Sequence, residues 1–267
     1  MPLKRYAVLL LKILFSIWSL YWVSTKVDWQ YIAQLAVKVK VLWLILAMAM
    51  YSLSRWIAAY RLHLFFSQVG LYLPHLLNIQ LYYMGMFYNL CLPGGISGDG
   101  YKIYWLQKHY DVHAKDLLMA TLADRLSGLV ALLWIMFLLL ANITTSMGSL
   151  VSKLSWWGVA ITWPLAYSVQ YLFSKRFLSI FFSSNLQALL MQFTQVLTVL
   201  WLLYAINVVD NISSYLSVFL LSSLVSVLPI SVGGVGAREF TFVALQPYFG
   251  YDLSTGVALS TLFFLTN

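Results

Sequence analysis

Acidic side chains are scarce in this sequence: eight Asp and Glu among 267 residues, with only 9% of residues charged at all. A water-soluble domain of ordinary make-up carries roughly a quarter of its residues charged, so the shortage excludes that class. Cysteine is rarer still. Cys91 stands alone, which excludes an internal disulfide and any cysteine-based metal cluster and leaves the redox compartment unread; it reads as a small apolar side chain. Long polar linkers and low-complexity segments are missing too, so residues 1–267 read as a single integral membrane domain.

What fills the chain is apolar: 62% of its residues are hydrophobic. Runs near the roughly 20 residues that a helix needs to cross about 30 Å of hydrocarbon recur near 6–23, 41–60, 117–141, 156–173 and 186–206, with a short one near 256–266. Two further segments, 76–110 and 213–250, are apolar but interrupted. The expected fold is therefore an all-α polytopic helical membrane protein of about six full spans plus two broken or re-entrant segments. Lys4 and Arg5 ahead of the first run imitate a signal peptide, but no small-x-small site follows "SIWSLYWVSTK", so an uncleaved first span is expected. The 16 basic residues give a net charge of +8 but form no dense patch, which argues against nucleic acid and for anionic lipid headgroups as the negative partner.

The two interruptions resemble each other. "LPGGISGDGYK" (92–102) and "LPISVGGVGAR" (228–238) match at Leu92 and Leu228, Pro93 and Pro229, Gly98 and Gly234, Gly100 and Gly236, and Lys102 and Arg238. The matched residues are uncommon ones in a chain with 6 prolines and 14 glycines, which points to an internal duplication. Three complete spans lie between the breaks. An odd number turns two re-entrant segments to opposite faces, the arrangement of an inverted repeat. Basic residues in short loops favour the cytoplasm. An N-terminus inside places Lys4, Arg5, Arg61, Lys102, Lys108, Lys115, Lys175 and Arg176 on that side, against Lys26, Lys38, Lys40, Lys153 and Arg238 outside.

Irregular glycine-rich backbone at membrane depth must be covered by protein or face water. Two readings stand side by side for Gly94, Gly95, Gly98 and Gly100 and for Gly233, Gly234 and Gly236. Their amides could line a cavity for an anion, with Lys102 and Arg238 adding full charge, or the glycines could only permit close helix packing. Asp99 is the acid of the first break and has Val235 at its matched position. Arg55, Asp124 and Arg125 fall inside or at the edge of spans, where ionisable groups are usually paired or functional. Pairs such as Asp124 with Lys102 or Asp99 with Arg125, and gating exchange between such pairs, are the alternatives there. Glu239 either neutralises Arg238 or bonds to free amides at a helix start, ahead of a role in proton coupling, or exchanges partners in a gate. His109 and His113 have the i, i+4 spacing of metal ligands but no glutamate between them, so a solvated face is expected, with no metal and no cofactor.

At these motifs the chain resembles the lysylphosphatidylglycerol synthase transmembrane family, also called the flippase-like domain family. The carrying blocks are "PGGISGDGYK" (93–102), "ADRLSG" (123–128) and "PISVGGVGARE" (229–239). The first departs from the family pattern at Ser97, where a glycine is usual, and at Lys102, which replaces arginine and loses its bidentate fork. The resemblance implies a prokaryotic cytoplasmic (inner) membrane protein that moves lipids between leaflets, without the cytosolic aminoacyltransferase domain of fused members. The leading expectation is a translocase for an anionic phospholipid or a prenyl-phosphate-linked lipid. Its rivals are a membrane enzyme acting on a lipid-linked glycan or polar lipid, and an accessory protein that recruits a lipid-modifying enzyme or glycosyltransferase. Clustered carboxylates around a metal or base, the usual mark of such an enzyme, are not evident, and no catalytic residue is assigned.

Overall fold

The computed structural model describes residues 2–91, 97–143, 149–227 and 234–266, with side chains from residue 10 onward except at 90 and 91. Within them the chain forms helices only: α1 (Pro2–Ser24), α2 (Trp29–Val37), α3 (Val41–Gln68), α4 (His75–Cys91), α5 (Ser97–His109), α6 (Ala114–Ala141), α7 (Ser149–Phe173), α8 (Phe181–Ala205), α9 (Ile212–Val227), α10 (Ala237–Phe249) and α11 (Leu253–Thr266). A 3-10 turn over Lys175–Ile180 leads into α8.

Among the described residues, three segments are long and apolar enough to cross a membrane: Val41–Gln68, Ala114–Ala141 and Lys175–Ala205. Leu10–Ser24, Ile212–Val227 and Leu253–Thr266 are shorter apolar helices. The six expected spans map onto α1, α3, α6, α7, α8 and α11, and the two interrupted segments are the pairs α4–α5 and α9–α10. The protein is a polytopic helical membrane protein. Loop 24–40 differs from expectation, because it contains α2. Asp28 caps that helix, its Oδ1 accepting from the N–H groups of Gln30 (2.9 Å) and Tyr31 (3.1 Å), and none of its residues is buried.

The most extensive packing is α3 on α8. It is closed at one end by a stack of Trp43 on Trp201 (5.0 Å between ring centres) and by the Lys40 N–H donating to Ala205 O (2.9 Å). One apolar cluster joins α3, α6, α8, α9, α10 and α11 around Phe219, Leu202 and Phe242. A second joins α3, α4, α5, α6 and the 3-10 turn around Phe65, Leu106 and Phe177.

Both interrupted segments fold back as antiparallel hairpins. Tyr88 meets Tyr101 (4.3 Å between ring centres), and Asn89 Oδ1 accepts from the Gly98 N–H (2.9 Å). The approach of α4 to α5 depends on a side chain being absent, since a Cβ at Gly98 would overlap the Gly85 carbonyl. The second hairpin turns into α10 through Gly236, whose φ of 83° lies in the left-handed region. Its α-carbon faces Ser16 and Ser19 of α1, so α1 is seated against the start of α10.

Candidate functional site

A cavity of about 410 Å³ lies where the two apolar clusters meet, lined from both hairpins and from α3, α6, α8 and α11. Met86, Leu129, Leu132 and Met191 supply apolar wall. Among the described residues, seven charged side chains line the cavity: Arg55, Arg61, Lys102, Arg125 and Arg238 against Asp99 and Asp124. Five basic groups against two acids leave an excess of three positive charges, inside a helix bundle where an unanswered charge is costly. Residues 92–96 and 228–233 contain no ionisable residue and leave this balance as it stands.

The cations divide sharply by their partners. Asp124 of α6 accepts from Arg61 Nε of α3 (2.7 Å), with both side chains at most 10% exposed. Its neighbour Arg125 points elsewhere, as adjacent helix positions about 100° apart require, and donates from Nε to Asp99 Oδ2 of α5 (2.5 Å). Asp99 Oδ1 is also 2.6 Å from Lys102 Nζ, one turn along α5. The "ADRLSG" block is thus a clasp: its aspartate holds α3 and its arginine holds the first hairpin. Asp99 pairs with Arg125 as one of the two expected alternatives had it. Asp124 pairs with Arg61 and not with Lys102, because Lys102 is taken by the carboxylate on its own helix.

Arg238 and Arg55 have no carboxylate within 4 Å among the described residues. Arg238 lies over the rings of Phe263 (4.7 Å) and Phe219 (5.3 Å), and Arg55 lies over Tyr51 (4.6 Å) and donates from Nε to Ser54 Oγ (3.1 Å). Tyr51 and Phe263 are themselves edge to face at 5.7 Å. The two guanidinium groups therefore flank one aromatic shelf, held by cation–π attraction rather than by countercharge.

Glu239 is engaged in a helix cap. Its Oε2 accepts from the Gly236 N–H (2.9 Å) and its Oε1 accepts from Ser260 Oγ (2.7 Å), with no cation within 4 Å among the described residues. The glycines divide as well. Gly94, Gly95 and Gly233 lie outside the described residues. The Gly98 and Gly236 amides are bound by Asn89 and Glu239, Gly100 is exposed on α5, and Gly234 lines the cavity. Arg61 and Lys102, expected in cytoplasmic loops, and Arg238, expected outside, share this one cavity, so none of the three bears on orientation. His109 ends α5, stacked on Trp105 at 4.1 Å, while His113 precedes α6, so the two share no helix.

Three residues of the site were not legible as such. Arg61 read as a loop residue, because the apolar run weakens at "YRLHLFF" although α3 continues to Gln68. Gln192 and Gln195 line the cavity from α8; their signal was the glutamine spacing in "LQALLMQFTQ", polar residues recurring on one side of an otherwise apolar span.

A family model described as "Lysylphosphatidylglycerol synthase TM region" matches residues 9–195. The chain belongs to that family. Membership in the lysylphosphatidylglycerol synthase transmembrane family ties the protein to membrane lipids. The match takes in the first hairpin, the clasp and most of α8, and it stops before the second hairpin and Arg238. No curated protein and no solved structure matches the chain.

Proposed function

We propose that the protein is a lipid translocase of the inner membrane, moving an anionic phospholipid or a prenyl-phosphate-linked lipid between leaflets. One observation carries this reading: a cavity with apolar wall and three more basic than acidic side chains in its lining, built jointly by both broken hairpins. Such a cavity draws an anionic headgroup out of water, while the tails stay in the hydrocarbon around the exposed apolar faces of the spans. Arg238 and Arg55 hold the headgroup, and the clasp of Arg61, Asp124, Arg125 and Asp99 sets the position of the first hairpin. Alternating exposure comes from the two hairpins acting as opposed halves of an inverted repeat, with the N-terminus in the cytoplasm. An enzyme at this site is disfavoured by the state of its acids: Asp99 and Asp124 are both engaged by cations, which leaves neither as a ready general base.

The test is inter-leaflet movement of labelled anionic lipids in vesicles containing the purified protein, read by quenching of the outer-leaflet label. Faster equilibration than in protein-free vesicles, lost in the Arg238→Gln variant, is the expected result. Unchanged distribution of every phospholipid and prenyl phosphate, in an assay where a known translocase works, would sink the reading.

A further inference from the structure

The charge balance of the cavity points beyond an anion in general to the kind of anion. Asp124 answers Arg61, and Asp99 is shared between Lys102 and Arg125. Three charges are left over: one from that shared carboxylate and one each on Arg55 and Arg238, whose described partners are only aromatic rings and a hydroxyl. A phosphodiester headgroup brings a single negative charge and would leave two of the three unanswered. A terminal phosphate, as a monoester or a diphosphate, brings two or more. Guanidinium groups suit it, since each offers two parallel N–H donors to the oxygens of a phosphate. Arg55 lies over Tyr51 and Arg238 over Phe263, two rings in edge-to-face contact, and both arginines line the one cavity, which offers a multiply charged group two separate cations.

We propose that the substrate headgroup ends in a terminal phosphate carrying at least two negative charges, with Arg55 as the residue that selects it over singly charged phosphodiesters. This rests on the translocase reading for the anion site but makes a separate claim about charge. It leaves Lys102, already matched by Asp99, as a positioning residue of the first hairpin.

The experiment is a titration of the purified full chain in neutral detergent micelles with three lipids of identical acyl chains, followed by native mass spectrometry. Phosphatidate is the terminal phosphate, phosphatidylglycerol the phosphodiester and phosphatidylcholine the uncharged reference. At about pH 8.5 phosphatidate, doubly charged, should bind about tenfold more tightly than phosphatidylglycerol, and the preference should shrink to about twofold near pH 5, where its phosphate carries a single charge. Arg55→Gln should lose the preference by weakening phosphatidate alone, and Arg55→Lys should keep most of it. Equal binding of the two anionic lipids at both pH values, or a preference untouched in Arg55→Gln, overturns the charge assignment and leaves an anion site standing. Failure of both lipids to exceed phosphatidylcholine overturns the anion site itself. Glycerol 3-phosphate, added in excess, should fail to displace phosphatidate; displacement would mean that the site takes a soluble phosphate and not a lipid.

Discussion

In the α4–α5 hairpin the closing base, Lys102, ends on a carboxylate 2.6 Å away; in the α9–α10 hairpin the matched base, Arg238, ends over two phenyl rings. The acids exchange places in the same way. Asp99 of the first hairpin ties down two cations, whereas Glu239 of the second turns away from the cavity to cap its own helix. Two segments with a common pattern of proline, glycine and base thus have unlike electrostatics: one is internally neutralised and fastened to α3 and α6, the other presents a bare charge. A repeated motif fixes where the backbone breaks, and the residues around the repeat decide which half keeps its charge for a ligand.

The largest effect is expected from cutting the clasp beside the first hairpin at its α3 end. Asp124→Asn leaves Arg61 buried without a countercharge and should cost about 3–5 kcal/mol, read as a large loss of thermal stability in detergent. A loss below about 1 kcal/mol would mean that the Arg61–Asp124 end of the clasp does not hold α3 to α6. Next comes the paired test of the two bases. Arg238→Gln should slow translocation about tenfold or more, as removal of a charged hydrogen-bond donor from a ligand does. Lys102→Gln, with Arg125 still on Asp99, should stay within about threefold of the parent. Equal loss in both would restore the symmetric reading of the two halves.

Gly98 and Gly100 sharpen the comparison inside one helix. Gly98→Ala drives a methyl group into the Gly85 carbonyl and should destabilise by about 1–3 kcal/mol. Gly100→Ala meets nothing within 4 Å and should stabilise by about 0.5–1 kcal/mol through helix propensity. Thermal unfolding of the two variants side by side decides whether the glycines serve packing or flexibility. The smallest effect is expected outside the cavity: Arg176 and Asp116 are 3.8 Å apart and both more than 40% exposed. Asp116→Asn should therefore change stability by less than about 1 kcal/mol at moderate salt.

The helical class, the positions of the breaks and the polar residues at Arg55, Asp99, Asp124 and Arg238 could all be read from apolar run lengths and from rare residues in those runs. Pairing could not. Which cation Asp124 meets depends on how far α3 continues beyond its apolar run, since that continuation buries Arg61 against Asp124. The equivalence of Lys102 and Arg238 failed for a related reason: register is a property of the chain, but neutralisation depends on Asp99 having no acidic counterpart at Val235. The glutamines of α8 were hidden by the strength of the span around them, since a long apolar window averages isolated amides away.

The seating of α1 has a consequence for biosynthesis. Its principal partner is α10, and α2 meets α11, where the Asp28 N–H donates to Ser254 Oγ at 3.0 Å. Both partners are translated more than 200 residues later than the helices they receive, as the separation of 226 between Asp28 and Ser254 shows. Helix α1 thus enters the bilayer well before its partner, and it waits beside lipid while the clasp and the first hairpin are already assembling. Ribosome-bound chains halted after α8 should leave Ser16 and Ser19 open to crosslinking by lipid-borne probes, and chains released after α11 should shield them.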